Sequence, residues 1–304
     1  MGKTVGARLL LACALGGVGC GGGGPAGPGA GGSGGNAGAG GASAGGTPTV
    51  LASGEVGAWG IAVDGANAAQ IPWDVTVDAS AVYWNYYDSP GAVMTAPLAG
   101  GAPVTLVSQQ VGPRNIAVRG ANIYWINLWI LGGNTGAVMA APLAGGGAVA
   151  LASAQDDPNG IAVDAANVYW TNLGGTVMKL PLGGGTPVML ASAQPGPQNI
   201  VADATNLYWT NTGSIEDTGT VMTVPIAGGT PVALATNLKG PLGIAVDASS
   251  VYWTDATRVM KVSLGGGPPV TLAAGQLRAT DIAVDASAVY WTDTDAGTIM
   301  RIAK

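Results

Sequence analysis

The 304-residue chain has no histidine, no phenylalanine and only two cysteines, and charged side chains occupy just 9% of its positions. Each scarcity excludes something. Without histidine there is no Ser-His-Asp or Cys-His catalysis, none of the commonest zinc ligands and no ordinary neutral-pH general base. Any chemistry must come from carboxylates or tyrosines. Eleven basic residues against 17 acidic ones leave a net charge of −6. That balance excludes a nucleic-acid binder, since phosphate contacts need clustered Lys or Arg. Little charge beside 48% apolar residues leaves ample material for a core. What the chain has in abundance is glycine, at 53 positions.

Lys3 and Arg8 precede the apolar run from Leu9 to Leu15, and small residues lead on to Cys20. This order predicts a signal peptide over residues 1–19, too short to be a permanent membrane span. Cys20, directly after Gly17-Val18-Gly19, resembles a bacterial lipoprotein processing site at which the thiol is lipidated, although Gly17 stands where leucine is usual. Cys13 matches that pattern better locally but leaves a very short apolar segment, and an ordinary cleaved signal is the plainer alternative. Residues 20–46 then read as a tether: 15 of the 26 residues from 21 to 46 are glycine, with no apolar periodicity. Such a segment is expected to be disordered, with a reach on the order of 25–30 Å. The expectation is an exported protein of a bacterial cell envelope, lipid-anchored through Cys20, touching the membrane only through that anchor and carrying no disulfide in its mature domain.

From residue 47 the chain is a repeat. Its marker is an aromatic pair, Tyr83-Trp84, Tyr124-Trp125, Tyr169-Trp170, Tyr208-Trp209, Tyr252-Trp253 and Tyr290-Trp291, at intervals of 38 to 45 residues. Met94, Met139, Met178, Met222, Met260 and Met300 keep step with it. Within one copy, Gly243-Ile244-Ala245-Val246, Val251-Tyr252-Trp253-Thr254, Val259-Met260-Lys261-Val262-Ser263-Leu264 and Pro269-Val270-Thr271-Leu272 read as four short strands separated by turn residues. Repeats of this length built from four strands are propeller blades. The last copy stops after its third strand, and Thr47-Pro48-Thr49-Val50-Leu51-Ala52-Ser53 resembles the missing fourth. The fold expected for residues 47–304 is therefore all-β, a six-bladed β-propeller of four-stranded antiparallel blades, closed by the N-terminal strand completing the last blade.

Tyr252-Trp253-Thr254-Asp255 and Tyr290-Trp291-Thr292-Asp293 are literal YWTD signatures, and Tyr169-Trp170-Thr171-Asn172 and Tyr208-Trp209-Thr210-Asn211 differ from them at one residue. The domain resembles the YWTD six-bladed propellers of low-density-lipoprotein-receptor class B repeats, and the broader TolB-like bacterial propellers. Copies one and two depart from the signature, with Asn85 and Ile126 after the pair. The resemblance implies a fold and leaves function open, because propellers serve as receptors, scaffolds, sensors and enzymes.

Residues present in every copy are explained by packing. Asp78, Asp164, Asp203, Asp247 and Asp285 each open a strand-to-strand turn, where a carboxylate accepts local backbone N–H bonds; Arg119 takes that place in copy two. Divergence is where binding should be sought, on the face carrying the second-to-third-strand loops and the blade-to-blade connections. The longer loops of copies one, two and four hold Tyr86, Tyr87 and Asp88, then Trp129, then Glu216 and Asp217. A 14-residue insertion in copy one contains Trp73 and is preceded by Trp59; either of two near-copies within 60–78 could form the inner strand. Trp59, Trp73, Tyr86, Tyr87 and Trp129 are the five aromatics outside the repeated pairs, all expected in loops, either as a recognition surface or buried against each other. Inner strands start at the channel mouth, which places Asp74, Arg114, Asn115, Asn159, Asn199 and Asp281 in one polar ring. A solvated rim is the plain reading of that ring; a polar small molecule, or Ca²⁺ as the one cofactor considered, would also suit it.

Besides a purely structural role, spacing or decorating the cell surface, two functions follow. One is a non-catalytic binding or scaffold module, a monomeric propeller with an envelope protein or glycan as partner. The other is a metal-dependent hydrolase at the channel mouth, resembling the gluconolactonase-type propellers that hold a divalent metal with a Glu, an Asn and an Asp. Asn159-Gly160 after Pro158 resembles one of their motifs and Glu55 invites comparison, but Gln198-Asn199 replaces the Asp expected in the next copy. No catalytic residue is assigned.

Overall fold

The computed structural model describes residues 48–53, 72–87, 90–128, 136–215 and 217–304. These form an all-β, six-bladed propeller of four-stranded antiparallel sheets. Blades one to five are up-and-down meanders over residues 72–110, 113–155, 158–191, 197–238 and 244–274. The sixth sheet has three consecutive strands over 279–303, with Thr49–Ser53 as its fourth; Thr49 lies opposite Arg301 and Ser53 opposite Thr298. Inner strands of successive blades touch in turn from the first to the sixth.

The second strand of each blade carries the aromatic pair and is buried on both faces, as in Asn167–Asn172, where only the first residue is partly exposed. It is covered on both sides by neighbouring blades, which is why β-branched and aromatic residues run through it without polar alternation. The tyrosine of one blade packs in the same cluster as the tryptophan of the next: Tyr83 with Trp125, Tyr124 with Trp170, Tyr169 with Trp209, Tyr208 with Trp253 and Tyr252 with Trp291. The repeated methionines fill the edges of these clusters.

Each repeated aspartate ties its turn to the core. Asp203 Oδ1 accepts the N–H groups of Thr205 and Asn206, both at 2.7 Å, and its Oδ2 accepts the Tyr208 hydroxyl at 2.8 Å. Asp78, Asp164, Asp247 and Asp285 repeat this arrangement. Burial alone would push these carboxyls up, but the accepted bonds outweigh it and hold all five below the ordinary value, Asp285 at about 2. Tyr83 and Tyr252 move the other way: burial and the bond to the carboxylate push them up to about 12. In copy two, where Arg119 stands, Gly120 at φ +59 makes the turn instead.

Two expectations need correction. The inner strand of blade one is Pro72–Val77, the second of the two near-copies; the first lies outside the described residues. Trp73 therefore sits in a strand, not a loop. Tyr86 is also in a strand, Ala81–Tyr86, and is only 3% exposed, edge-on to Trp84 at 6.5 Å. The strand runs two residues past the aromatic pair, so Tyr86 belongs to the core.

Candidate functional site at the channel mouth

At the opposite end of the inner strands from the aspartate turns, all six blades contribute side chains to one cavity of about 100 Å³. Blades one to three supply Trp73 with Asp74, Asn115 and Asn159. Blades four to six supply Gln198 with Asn199, Leu242, and Thr280 with Asp281. Five members of the expected polar ring, Asp74, Asn115, Asn159, Asn199 and Asp281, are thus brought together. Trp73, Gln198, Leu242 and Thr280 complete the lining; Gln198 and Thr280 were readable as the neighbours of the ring residues Asn199 and Asp281.

Glycine shapes the cavity. A Cβ on Gly160 would lie 2.5 Å from the Gln198 carbonyl, and one on Gly243 would lie 2.4 Å from that of Thr280. Without side chains at these two ring positions, the next blade's backbone moves inward. The carboxamides of blades two and four meet directly: Asn115 Nδ2 donates to Asn199 Oδ1 at 2.7 Å. Asn159 Nδ2 donates to Gln198 Oε1 at 2.9 Å.

The YWT threonine clips neighbouring blades just behind this lining. Thr254 Oγ1 accepts the Gly243 N–H at 2.9 Å and donates to the Thr280 carbonyl of the next blade at 2.8 Å. Thr171 likewise accepts from Gly160 N–H and donates to the Gln198 carbonyl, and Thr210 donates to the Leu242 carbonyl. A second clip was missed from sequence: Trp170, Trp209 and Trp291 donate through Nε1 to Gln155, Gln194 and Gln276 at the end of the preceding blade. The glutamine recurring at or just after the outer strands of blades one, two, three and five was the available signal. Blade one departs from the pattern. Asn85 accepts the Asp74 N–H at 3.1 Å in the threonine's place, and its Nδ2 is buried with no partner among the described residues.

Arg114 does not line the cavity. Its guanidinium lies 4.3 Å from the Trp73 ring centre and 4.9 Å from that of Tyr87, and the two rings are themselves 4.9 Å apart. A cation is favoured over aromatic faces, and here it braces Trp73 at the rim. Asp157, on the connection into blade three, has its carboxyl pushed up by burial against the opposing pull of Arg114. The two ring carboxylates are engaged by backbone: Asp74 accepts N–H bonds from Val75 and, across the blade boundary, Ile116, both at 2.8 Å, and Asp281 accepts from Ile282 at 2.9 Å. Among the described residues no group of three or more Asp, Glu, His or Cys side chains could hold a metal.

Of the expected binding-loop residues, Tyr87 is half-buried in the Arg114 stack and Asp217 is exposed, 3.9 Å from Lys239. Trp59, Asp88, Trp129 and Glu216 lie outside the described residues, as does Cys20.

No protein-family model matches the chain, and no curated protein matches it. Solved structures do. Nidogen, from its complex with laminin, is 22% identical, covering 71% of this chain and 88% of its own with a TM-score of 0.58. An auxiliary nutrient binding protein from Bacteroides ovatus is 14% identical over 76% of this chain and 68% of its own, with a TM-score of 0.59. A catalytically inactive virginiamycin B lyase from Staphylococcus aureus, with quinupristin, is 10% identical over 80% of this chain and 98% of its own, with a TM-score of 0.60. At these identities what is shared is the fold, and the chain is a six-bladed β-propeller of the YWTD and TolB-like architecture.

Proposed function

We propose that this protein is a non-catalytic binding module of the bacterial cell envelope, exported, lipid-anchored at Cys20, carried on the 20–46 tether and engaging its ligand at the channel mouth. The observation that carries the reading is the cavity lined from all six blades, mostly by polar side chains, on the face where the repeats diverge. Nidogen in complex with laminin and the B. ovatus nutrient binding protein are binding proteins of this fold by their descriptions, which favours an envelope protein or glycan as partner. In the same reading the propeller is a monomer, and Thr49–Ser53 acts as the latch that closes the ring through main-chain bonds.

The metal-dependent hydrolase has less support. Both Asp74 oxygens already accept backbone N–H groups, whereas Ca²⁺ needs roughly six to eight oxygen ligands. The inactivated lyase lacks a histidine by substitution, and this chain has none. Millimolar Ca²⁺ is expected to leave the melting temperature of the EDTA-treated protein unchanged; a clear rise would favour the hydrolase.

The binding reading is tested by capturing envelope components on the full-length protein, its Asn159→Ala/Gln198→Ala variant and an Asp203→Ala variant in the distant turn. A component retained by the wild type and the turn variant but lost from the mouth variant is expected. Equal retention by all three refutes a ligand site at the mouth. Detergent phase partitioning checks the anchor, with Cys20→Ser expected to move the protein from the detergent to the aqueous phase.

A further inference from the structure

The chemistry of the cavity narrows the ligand class. No basic side chain lines it, two carboxylates do, and the protein carries a net charge of −6. An anion placed there would face like charge with no compensating cation, because the Arg114 guanidinium is turned onto Trp73 and Tyr87. A bare divalent cation meets too few uncommitted oxygens, as Asp74 shows. Of the classes that remain, a neutral hydrogen-bonding ligand is the one that the amide groups of the lining match.

The carboxamides specify it further. Each amide carries an acceptor oxygen and two donor N–H groups. In the pair formed by Asn159 and Gln198, one donor and one acceptor are used on each other. Asn159 Oδ1 and Gln198 Nε2 have no other partner among the described residues, and both side chains line the cavity. Turning both amides over leaves the same complement, one free acceptor beside one free donor. Asn115 Oδ1 supplies another acceptor next to its bond to Asn199. Adjacent donors and acceptors match hydroxyl groups, each of which both gives and takes a hydrogen bond. Trp73 and Leu242 add apolar surface to the lining, which suits the C–H face of a sugar ring. At about 100 Å³ the cavity is well below the roughly 300–1,000 Å³ that encloses a whole small-molecule ligand, so it fits the end of a longer one.

We propose that the channel-mouth cavity receives the terminal, hydroxyl-bearing unit of a neutral saccharide, with Asn159 and Gln198 as its principal hydrogen-bonding residues. This rests on the reading of the mouth as the ligand site.

The test is calorimetric titration of full-length protein with maltotriose, cellotriose and tri-N-acetylchitotriose as neutral probes, trigalacturonate as the acid, spermidine as the cation, and CaCl₂. The expected result is binding of a neutral trisaccharide, weakened about tenfold by Asn159→Ala and by Gln198→Ala as a lost hydrogen bond implies, with no binding of trigalacturonate. Gln198→Glu, which keeps the side chain's size and removes its donor, is expected to weaken binding as much, and melting temperatures verify that each variant is folded. Mouth-dependent binding of the acid, the amine or Ca²⁺ overturns the saccharide class and leaves the mouth as the ligand site. Saccharide binding that is indifferent to all three variants overturns the site as well. Failure of every neutral probe overturns the inference; the capture experiment above then decides the site independently.

Discussion

The two ends of the inner strands have been treated differently by the repeat. At the turn end, five of six copies make the same three bonds from one aspartate, two to backbone N–H groups and one to a tyrosine hydroxyl. At the mouth end, equivalent positions hold Trp73, Arg114, Asn159, Gln198, Leu242 and Thr280, no two alike. A stabilising device works equally well in every copy, so it is retained in every copy. A recognition surface needs different groups in different directions, so its positions diverge. The turn end bears the stability of the ring, and in the proposed function the mouth end bears its selectivity.

Acid should break this division most severely, because it strikes all five turns together. The folded carboxyls titrate below the unfolded value of 3.8. Their stabilisation is therefore complete above that value and is lost as pH falls through the folded values, about 2 for Asp285. A melting series from pH 5 to pH 2 is expected to show a steep fall beginning near pH 4. A flat series would mean the turns contribute little. Asp203→Ala removes one such turn and leaves two backbone N–H groups and the Tyr208 hydroxyl short of an acceptor, which should cost about 2–4 kcal/mol in denaturant unfolding. Thr254→Val probes the repeated element on the divergent end: losing the clip between Gly243 and Thr280 should cost about 2–3 kcal/mol. If it costs nothing, blade seams at the mouth do not depend on the threonine of the signature. Asn159→Ala sits at the other extreme, with an expected stability change within about 0.5 kcal/mol, as for a partly exposed side chain away from core, caps and turns, while ligand binding weakens about tenfold.

Much of the fold was legible because it is written six times. The Tyr-Trp pairs mark second strands that are buried on both faces, and the turn aspartates behave as their spacing implies. The polar ring was legible by the same means, since aligning the copies puts Asp74, Asn115, Asn199 and Asp281 at one level and Asn159 at the level of Gln198. Contacts between blades were harder to read. Gln155 and Trp170 are 15 residues apart in different blades, and only the ring geometry places one against the other. Arg114 was assigned to the rim by register, but a long side chain is not held to the direction of its Cα, and two aromatic rings offer it a better place than a small polar cavity. Tyr86 was misplaced because loop length was counted from the aromatic pair, whereas the strand continues beyond it.

Because the cavity takes side chains from all six blades, no single blade or pair of blades contains it. A proteolytic fragment, a deletion that removes one blade or a ring sprung open at any seam would keep most of the β-structure and lose the site entirely. Occupancy would in turn favour the intact circle over every partly opened form, raising its unfolding temperature in proportion to the logarithm of ligand concentration above Kd. A protein built this way reports, through what it holds at its centre, whether its whole circumference is sound.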